Sequence, residues 1–120
     1  MNRKALLVSL ALYVLVAGFA LAADDHGVAI YPGAKKDEQW SKVQNDMAKT
    51  MGNGFGACYR TKDAVAKVAA FYQKDGFKVS VGQVTADGAM LQKGDKISMT
   101  IKFMKPLDNT NDTRICFTSK

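Results

Sequence analysis

The chain has few of the residues on which most active sites depend. Its 120 residues include one histidine, His26, and one glutamate, Glu38. A catalytic nucleophile needs a base to activate it and a third group to orient that base, and a structural zinc site needs four ligands. We therefore expect no catalytic residues and no cofactor. The alternative is a small secreted hydrolase whose site is assembled only in the folded chain.

Arginine is also scarce, and this bears on the type of partner. After residue 23 the basic residues are thirteen lysines, Arg60 and Arg114. Lysines distributed over the polar faces of helices and strands are typical of a solvated surface, whereas a nucleic-acid site concentrates basic residues in one stripe. We therefore expect no nucleic-acid partner.

Two segments resemble ligand sites but lack essential features. Gly52-x-Gly54-x-x-Ala57 matches a dinucleotide-binding pattern, yet it follows a predicted helix and precedes a predicted strand. A phosphate site requires the reverse order, because the amides at a helix start must face the phosphate. The oxygen-rich segment 108–112 lacks the glycine and the last acidic residue of a calcium-binding EF-hand loop. We interpret both segments as turns or solvated loops.

The N-terminus carries the three parts of a signal peptide. Arg3 and Lys4 precede an uncharged, mostly apolar run over residues 5–23, and Ala20 and Ala22 form an A-x-A cleavage pattern. We predict a cleavable signal peptide at 1–23 and a single domain at 24–120, exported to the periplasm or secreted, with no transmembrane segment after cleavage. An uncleaved membrane anchor is the alternative, since the run is close to the length of a span.

Two cysteines, Cys58 and Cys116, lie in the predicted mature chain. In an oxidising compartment an isolated pair of cysteines indicates a disulfide, and closing so long a loop stabilises the folded chain by about 4 kcal/mol. Two separate buried thiols are the alternative. Both cysteines fall on the strand face opposite to the larger apolar residues. We therefore predict that the strands at 55–60 and 113–118 are neighbours.

Hydrophobic periodicity predicts two helices. The first, at 37–51, carries an apolar stripe at three- and four-residue spacing. The second has Thr61 as its predicted N-cap and Gly76 as its C-terminal cap, with a wider apolar stripe between them. The stripe of the first helix consists of Trp40, Val43, Met47 and Met51, and that of the second includes Val65, Val68, Ala69 and Tyr72.

The remainder of the chain reads as β-structure. Alternating apolar and polar residues are clearest at 97–103, where one face is expected on the core and the other in water. The order of elements predicts the α+β class: an antiparallel sheet of about four to five strands with two helices packed on one face.

Two possible sites involve charged residues. By strand parity Arg60, Lys102 and Arg114 share the cysteine face, where they would form an anion-binding patch for an envelope lipid, a polysaccharide or an acidic protein; an ordinary solvated sheet face is the alternative. If cleavage follows Ala23, His26 becomes the third residue and could bind Cu(II) or Ni(II) in a square-planar site. Cleavage after Ala22 removes that possibility.

Three short motifs occur along the predicted mature chain: Tyr31-Pro32-Gly33-Ala34, Tyr59-x-Thr61 and Phe71-Tyr72. Their pattern resembles small exported bacterial proteins and lipoproteins of unknown function. This chain differs in lacking a lipidated cysteine and in having its own cysteine pair. The resemblance implies an α+β fold and bacterial export, and it supplies no activity.

Taken from the sequence, the expected function is that of a small exported binding or accessory protein that contacts a component of the cell envelope. The alternatives are the secreted hydrolase and the N-terminal copper- or nickel-binding protein described above.

Overall fold

A computed structural model describes residues 23–120 of the chain. The predicted signal peptide lies outside the described residues, except for Ala23. The chain divides into two compact units, one ending at Pro32 and the other comprising Gly33–Lys120. Within the described residues, none of the helices has the length and apolar character needed to span a membrane.

The described part of the first unit is a short hairpin. Strands β1 (Asp24–Asp25) and β2 (Val28–Ala29) pair antiparallel around a two-residue turn. The turn residues, His26 and Gly27, have φ values of 52° and 83°. Two consecutive positive φ angles are what a tight hairpin turn requires for its twist to match that of the strands.

The second unit is built on one antiparallel sheet of six strands, in the order β3-β4-β8-β7-β6-β5. The α+β class is therefore confirmed, with more strands than the four to five predicted. The strands are β3 (Lys35–Lys36), β4 (Phe55–Thr61), β5 (Lys78–Val81), β6 (Gly88–Lys93), β7 (Ile97–Phe103) and β8 (Thr113–Ser119). The helices are α1 (Glu38–Thr50), α2 (Val65–Lys74) and α3 (Lys105–Asp108).

The disulfide prediction is confirmed. Strands β4 and β8 are neighbours, and Cys58 lies directly opposite Cys116. The two residues are disulfide-bonded with their Cα atoms 4.1 Å apart, and both are buried. The bridge therefore joins two neighbouring strands through cysteines that are 58 residues apart in sequence.

Helix α2 covers one face of the sheet. Its predicted stripe is buried, together with Leu91, Met99 and Ile101 on strands β6 and β7. At its C-terminal end, Lys93 from the same face of β6 lies 5.7 Å from the ring centre of Phe77. The predicted N-cap is wrong: the helix begins at Val65, and Thr61 is the last residue of β4. The β-ladder with β8 extends to Thr61 and leaves it no freedom to cap a helix.

Helix α1 lies on the opposite face, so the prediction of two helices on one face is wrong. Gly56 and Cys58 alternate with Ala57 and Tyr59 along β4, and the glycine faces α1: a Cβ on Gly56 would lie 2.5 Å from the carbonyl oxygen of Gln44. Strands β4 and β8 bury side chains on both of their faces. Because both faces are buried, a layer is needed on each side of the sheet.

Polar side chains of α1 also close the edge of β4. The two-residue strand β3 reaches only Tyr59 and Arg60, so the backbone before them lacks a strand partner on that side. Ser41 Oγ accepts from Cys58 N–H and donates to its carbonyl oxygen, both at 2.9 Å, and Asn45 Oδ1 accepts from Gly56 N–H at 3.1 Å. The spacings match because four helical residues rise about 6 Å and two strand residues about 6.6 Å.

Candidate interaction surface

The predicted basic residues form a row across the sheet, but they differ in their surroundings. Cross-strand pairing places Arg60 opposite Arg114, and Arg114 opposite Lys102. Opposite residues of neighbouring strands share a face, so the three cations do lie on the cysteine face as expected. Whether they bind an anion stays a prediction.

Arg60 is surrounded by carboxylates. Its Nε lies 2.6 Å from Asp37 Oδ2, and its Nη1 lies 2.8 Å from Asp108 Oδ2 and 3.3 Å from Asp112 Oδ2. Burial lowers the pKa of Arg60, but the hydrogen bonds to these three carboxylates outweigh it and raise the pKa above its ordinary value. Lys62 also pairs with Asp112. We call these five residues the Arg60 cluster.

The Arg60 cluster ties together segments that are distant in sequence. Asp37 caps α1 through Oδ1, which accepts from Trp40 N–H at 3.0 Å, while its other oxygen holds Arg60. Asp108 is the last residue of α3, and Asp112 lies in the loop between α3 and β8. An adjoining cleft of about 510 Å³ has Lys35, Lys36 and Glu38 among its lining residues. Since carboxylates already neutralise the guanidinium, we interpret the Arg60 cluster as a structural ion-pair network that holds these segments together, and not as an anion-binding site.

Arg114, in contrast, has no ion pair among the described residues. Its guanidinium carbon lies 4.4 Å from the centre of the Trp40 ring, an arrangement that partly offsets a buried positive charge. Burial lowers the pKa of Arg114, and the nearby charge of Arg60 lowers it further. The buried Nη1 atom has no hydrogen-bond partner. Arg114 is therefore a half-buried cation without an ion pair in the described part of the chain, and it lies next to Lys102, which is exposed.

The apolar stripe of α1 is exposed. Trp40, Val43, Met47 and Met51 have exposed fractions of 38%, 41%, 51% and 69%. The periodicity therefore predicts the helix correctly but does not mark its packed side. A second pattern marks that side: Ser41, Asn45 and Ala48 recur at four- and three-residue spacing and face β4. Small and polar residues allow the close approach of helix and strand backbones.

The exposed stripe lies along the flank of α1 that overhangs β8. The stack of Trp40 on Arg114 fixes this direction. The other flank, with Lys42 and Asn45, lines a depression next to Gly56 on the far side of β4. The stripe therefore borders the part of the sheet that α1 leaves uncovered.

That uncovered part is the outer face of strands β5, β6 and β7. The side chains on this face are exposed, in contrast to the buried Leu91, Met99 and Ile101 on the inner face. We define the open face as the apolar flank of α1 together with this strip of sheet. The strip consists of Lys78, Val81, Met90, Gln92, Ser98, Thr100 and Lys102.

Exposed apolar residues are concentrated on the open face. Among residues 23–120 there are seven large apolar side chains that are exposed, and all except Leu107 belong to it. Val81, Met90, Thr100 and Lys102 also line a hollow of about 340 Å³ in the sheet strip. Large contiguous apolar areas on a protein surface mark sites of interaction.

The charges of the open face have one sign. On the outer face of strands β5, β6 and β7 the charged side chains are Lys78 and Lys102, with Arg114 at the border. The apolar flank of α1 consists of Trp40, Val43, Met47 and Met51 and carries no charge. Asp87, in the loop before β6, lies at one end of the hollow. The surface is thus apolar and cationic.

His26 lies in the hairpin turn of the first unit. Its Nδ1 is 2.7 Å from Asp25 Oδ1, so a square-planar metal site at a processed N-terminus would have to replace this contact. Within residues 23–120, no group of three or more His, Cys, Asp or Glu side chains is placed to hold a metal ion.

A comparison of the chain with protein-family models, with curated proteins and with solved structures finds no match to any of them. The resemblance to small exported bacterial proteins and lipoproteins stays a prediction, and any function assigned to the open face rests on its own residues.

Proposed function

We propose that this is an exported binding or accessory protein that docks a partner protein on the open face. The supporting observation is that six of the seven exposed large apolar side chains of the described chain lie on this one surface. Isolated exposed apolar residues are ordinary, but their concentration beside an uncovered strip of sheet is not. Export is supported by the signal-peptide pattern and is compatible with the disulfide.

The size of the apolar contribution is sufficient for binding. Complete burial of a Val or Met side chain is worth about 1.5–3 kcal/mol, and Val43, Met47 and Met51 each expose two fifths or more of their surface. Covering these residues, together with Val81 and Met90, therefore provides several kcal/mol before the cost of association is subtracted. Trp40 adds an aromatic anchor of the kind that is common in binding hot spots.

Site-specific photocrosslinking in the native cell tests this proposal. A photoreactive residue is placed at Met47 or, as the matched control, at Asp46, its exposed neighbour on another side of the helix. We expect a defined protein adduct from position 47 and none from position 46. The adduct partner is then purified, and the substitution Val43→Lys should weaken its binding by about tenfold or more, because a charge cannot be buried without compensation. Equal adducts at both positions, or none at 47, would overturn the proposal.

A further inference from the structure

We infer that the occupant of the open face is an amphipathic helix of the partner protein, with carboxylate side chains along the edge that meets Lys102 and Arg114. This inference rests on the proposed function and specifies the chemistry of the partner. It is supported by the dimensions of the uncovered strip, by the edges of the sheet and by the sign of the charges.

The uncovered strip has the dimensions of one helix. Three neighbouring strands spaced at about 4.8 Å make a surface about 10–14 Å wide, and an α-helix with its side chains is about 10–12 Å across. The strip lies beside α1, so a helix seated on it would run at the usual packing distance of about 8–10 Å from α1. It would complete a two-helix layer of which this chain supplies one helix.

The apolar flank of α1, which borders the strip, is also suited to pack against a helix. Val43 and Met47 are four residues apart and Trp40 precedes them by one turn, so their side chains form a ridge of the type that fits into the groove of another helix. Binding of an extended strand is less suited to this sheet. Its edge strand β5 has an irregularity between Val79 and Val81, and at the opposite edge β3 has only two residues.

The charges select an acidic helix over a second copy of this chain. Apart from Asp87 at one end of the hollow, the charged residues on and beside the described strip are Lys78, Lys102 and Arg114. A symmetric dimer through this surface would therefore bring cations against cations. Among the described residues Arg114 has no ion pair, and its side chain is only half-buried. A carboxylate that reaches the accessible part of its guanidinium would supply the missing charge, and Lys102 provides a second, exposed cation beside it.

The test uses two synthetic amphipathic helices of about 18 residues with the same Leu and Ala face, one with Glu and the other with Lys along its flanks. Their binding to the protein, expressed from its complete sequence, is measured by fluorescence anisotropy. We expect the acidic peptide to bind about tenfold more tightly than the basic one. Lys102→Gln should reduce that ratio, whereas Lys74→Gln on the exposed side of α2 should leave it unchanged. Lys102 is exposed and unpaired in the described chain, so its substitution should not affect folding.

Several results would overturn the inference. One is equal binding of the two peptides, and another is a ratio that Lys102→Gln leaves unchanged. Light scattering that shows a dimer broken by Met47→Glu would assign the surface to a second copy. Tighter binding to vesicles of anionic phospholipid than to the acidic peptide would assign it to a membrane. If photocrosslinking at Met47 succeeds while neither peptide binds, this inference fails and the proposed function stands.

Discussion

Removal of one hydroxyl, in Ser41→Ala, should measurably destabilise the protein although the side chain is small. Ser41 is 6% exposed, and its Oγ is the acceptor for the N–H group of Cys58. The carbonyl oxygen of Cys58 keeps a second donor, the backbone N–H of Asp37 at 2.9 Å. The substitution therefore leaves one buried N–H without a partner, which costs about 1–3 kcal/mol of unfolding free energy.

Urea denaturation monitored by fluorescence measures this loss. Trp40 is the only tryptophan. It lies on α1, the helix that also carries Ser41, and its ring stacks on Arg114 of β8. Its fluorescence emission therefore reports the detachment of α1 from the sheet. For a domain of this size a loss of about 2 kcal/mol lowers the melting temperature by roughly 8–16 °C. Ser98→Ala is the matched control, since Ser98 is exposed and should change stability by less than about 0.5 kcal/mol. Equal stability of the two variants would refute the conclusion that Ser41 stabilises the fold by hydrogen bonding to the backbone of Cys58.

Three other perturbations test the fold. Gly56→Ala should cost about 1–3 kcal/mol, because its Cβ would meet the backbone of α1, while Gly54→Ala meets only ordinary contacts and serves as the control in thermal melts. Replacing both cysteines with alanine should lower the unfolding free energy by about 2–5 kcal/mol in chemical denaturation; an unchanged value would contradict a stabilising bridge. The pKa of Asp112 is lowered by Lys62 and then by Arg60, so its stabilisation is complete above the ordinary Asp pKa of about 3.9 and is lost as the pH falls through the lower folded value. Asp112→Asn should therefore weaken the acid dependence of the melting temperature, and an unaltered profile would argue against the ion pairs.

The exposed stripe of α1 shows why an amphipathic pattern is not sufficient to place a helix. Trp40, Val43 and Met47 have the spacing of a buried face, and they predict the helix itself correctly. Burial was nevertheless decided by Ser41 and Asn45, whose polar atoms satisfy backbone groups at the edge of β4. An unsatisfied buried N–H group is costly, so this requirement determines which side of the helix meets the sheet.

The candidate site was also only partly readable from the chain. Strand parity correctly placed Arg60, Lys102 and Arg114 on one face, because side-chain direction alternates along any strand. Parity contains no information on the end of α3 and the loop that follows it, which bring Asp108 and Asp112 to Arg60. Among the described residues, Arg114 forms no ion pair with them. The open face was missed because it is defined by a strip of sheet that α1 leaves uncovered, and the position of α1 on the sheet is not a local property of the sequence.

The disulfide is the feature that the sequence determined most completely. Two cysteines on the same face of two predicted β-strands, in a chain whose N-terminus has the pattern of a signal peptide, were enough to predict that Cys58 and Cys116 are paired on neighbouring strands. The number of strands, the opposite placement of α1 and α2 and the open face were decided by the tertiary structure. The physical reason is that pairing, alternation and helix period are local properties of the chain, whereas the side on which a helix packs depends on groups from distant segments that must be buried or hydrogen-bonded together.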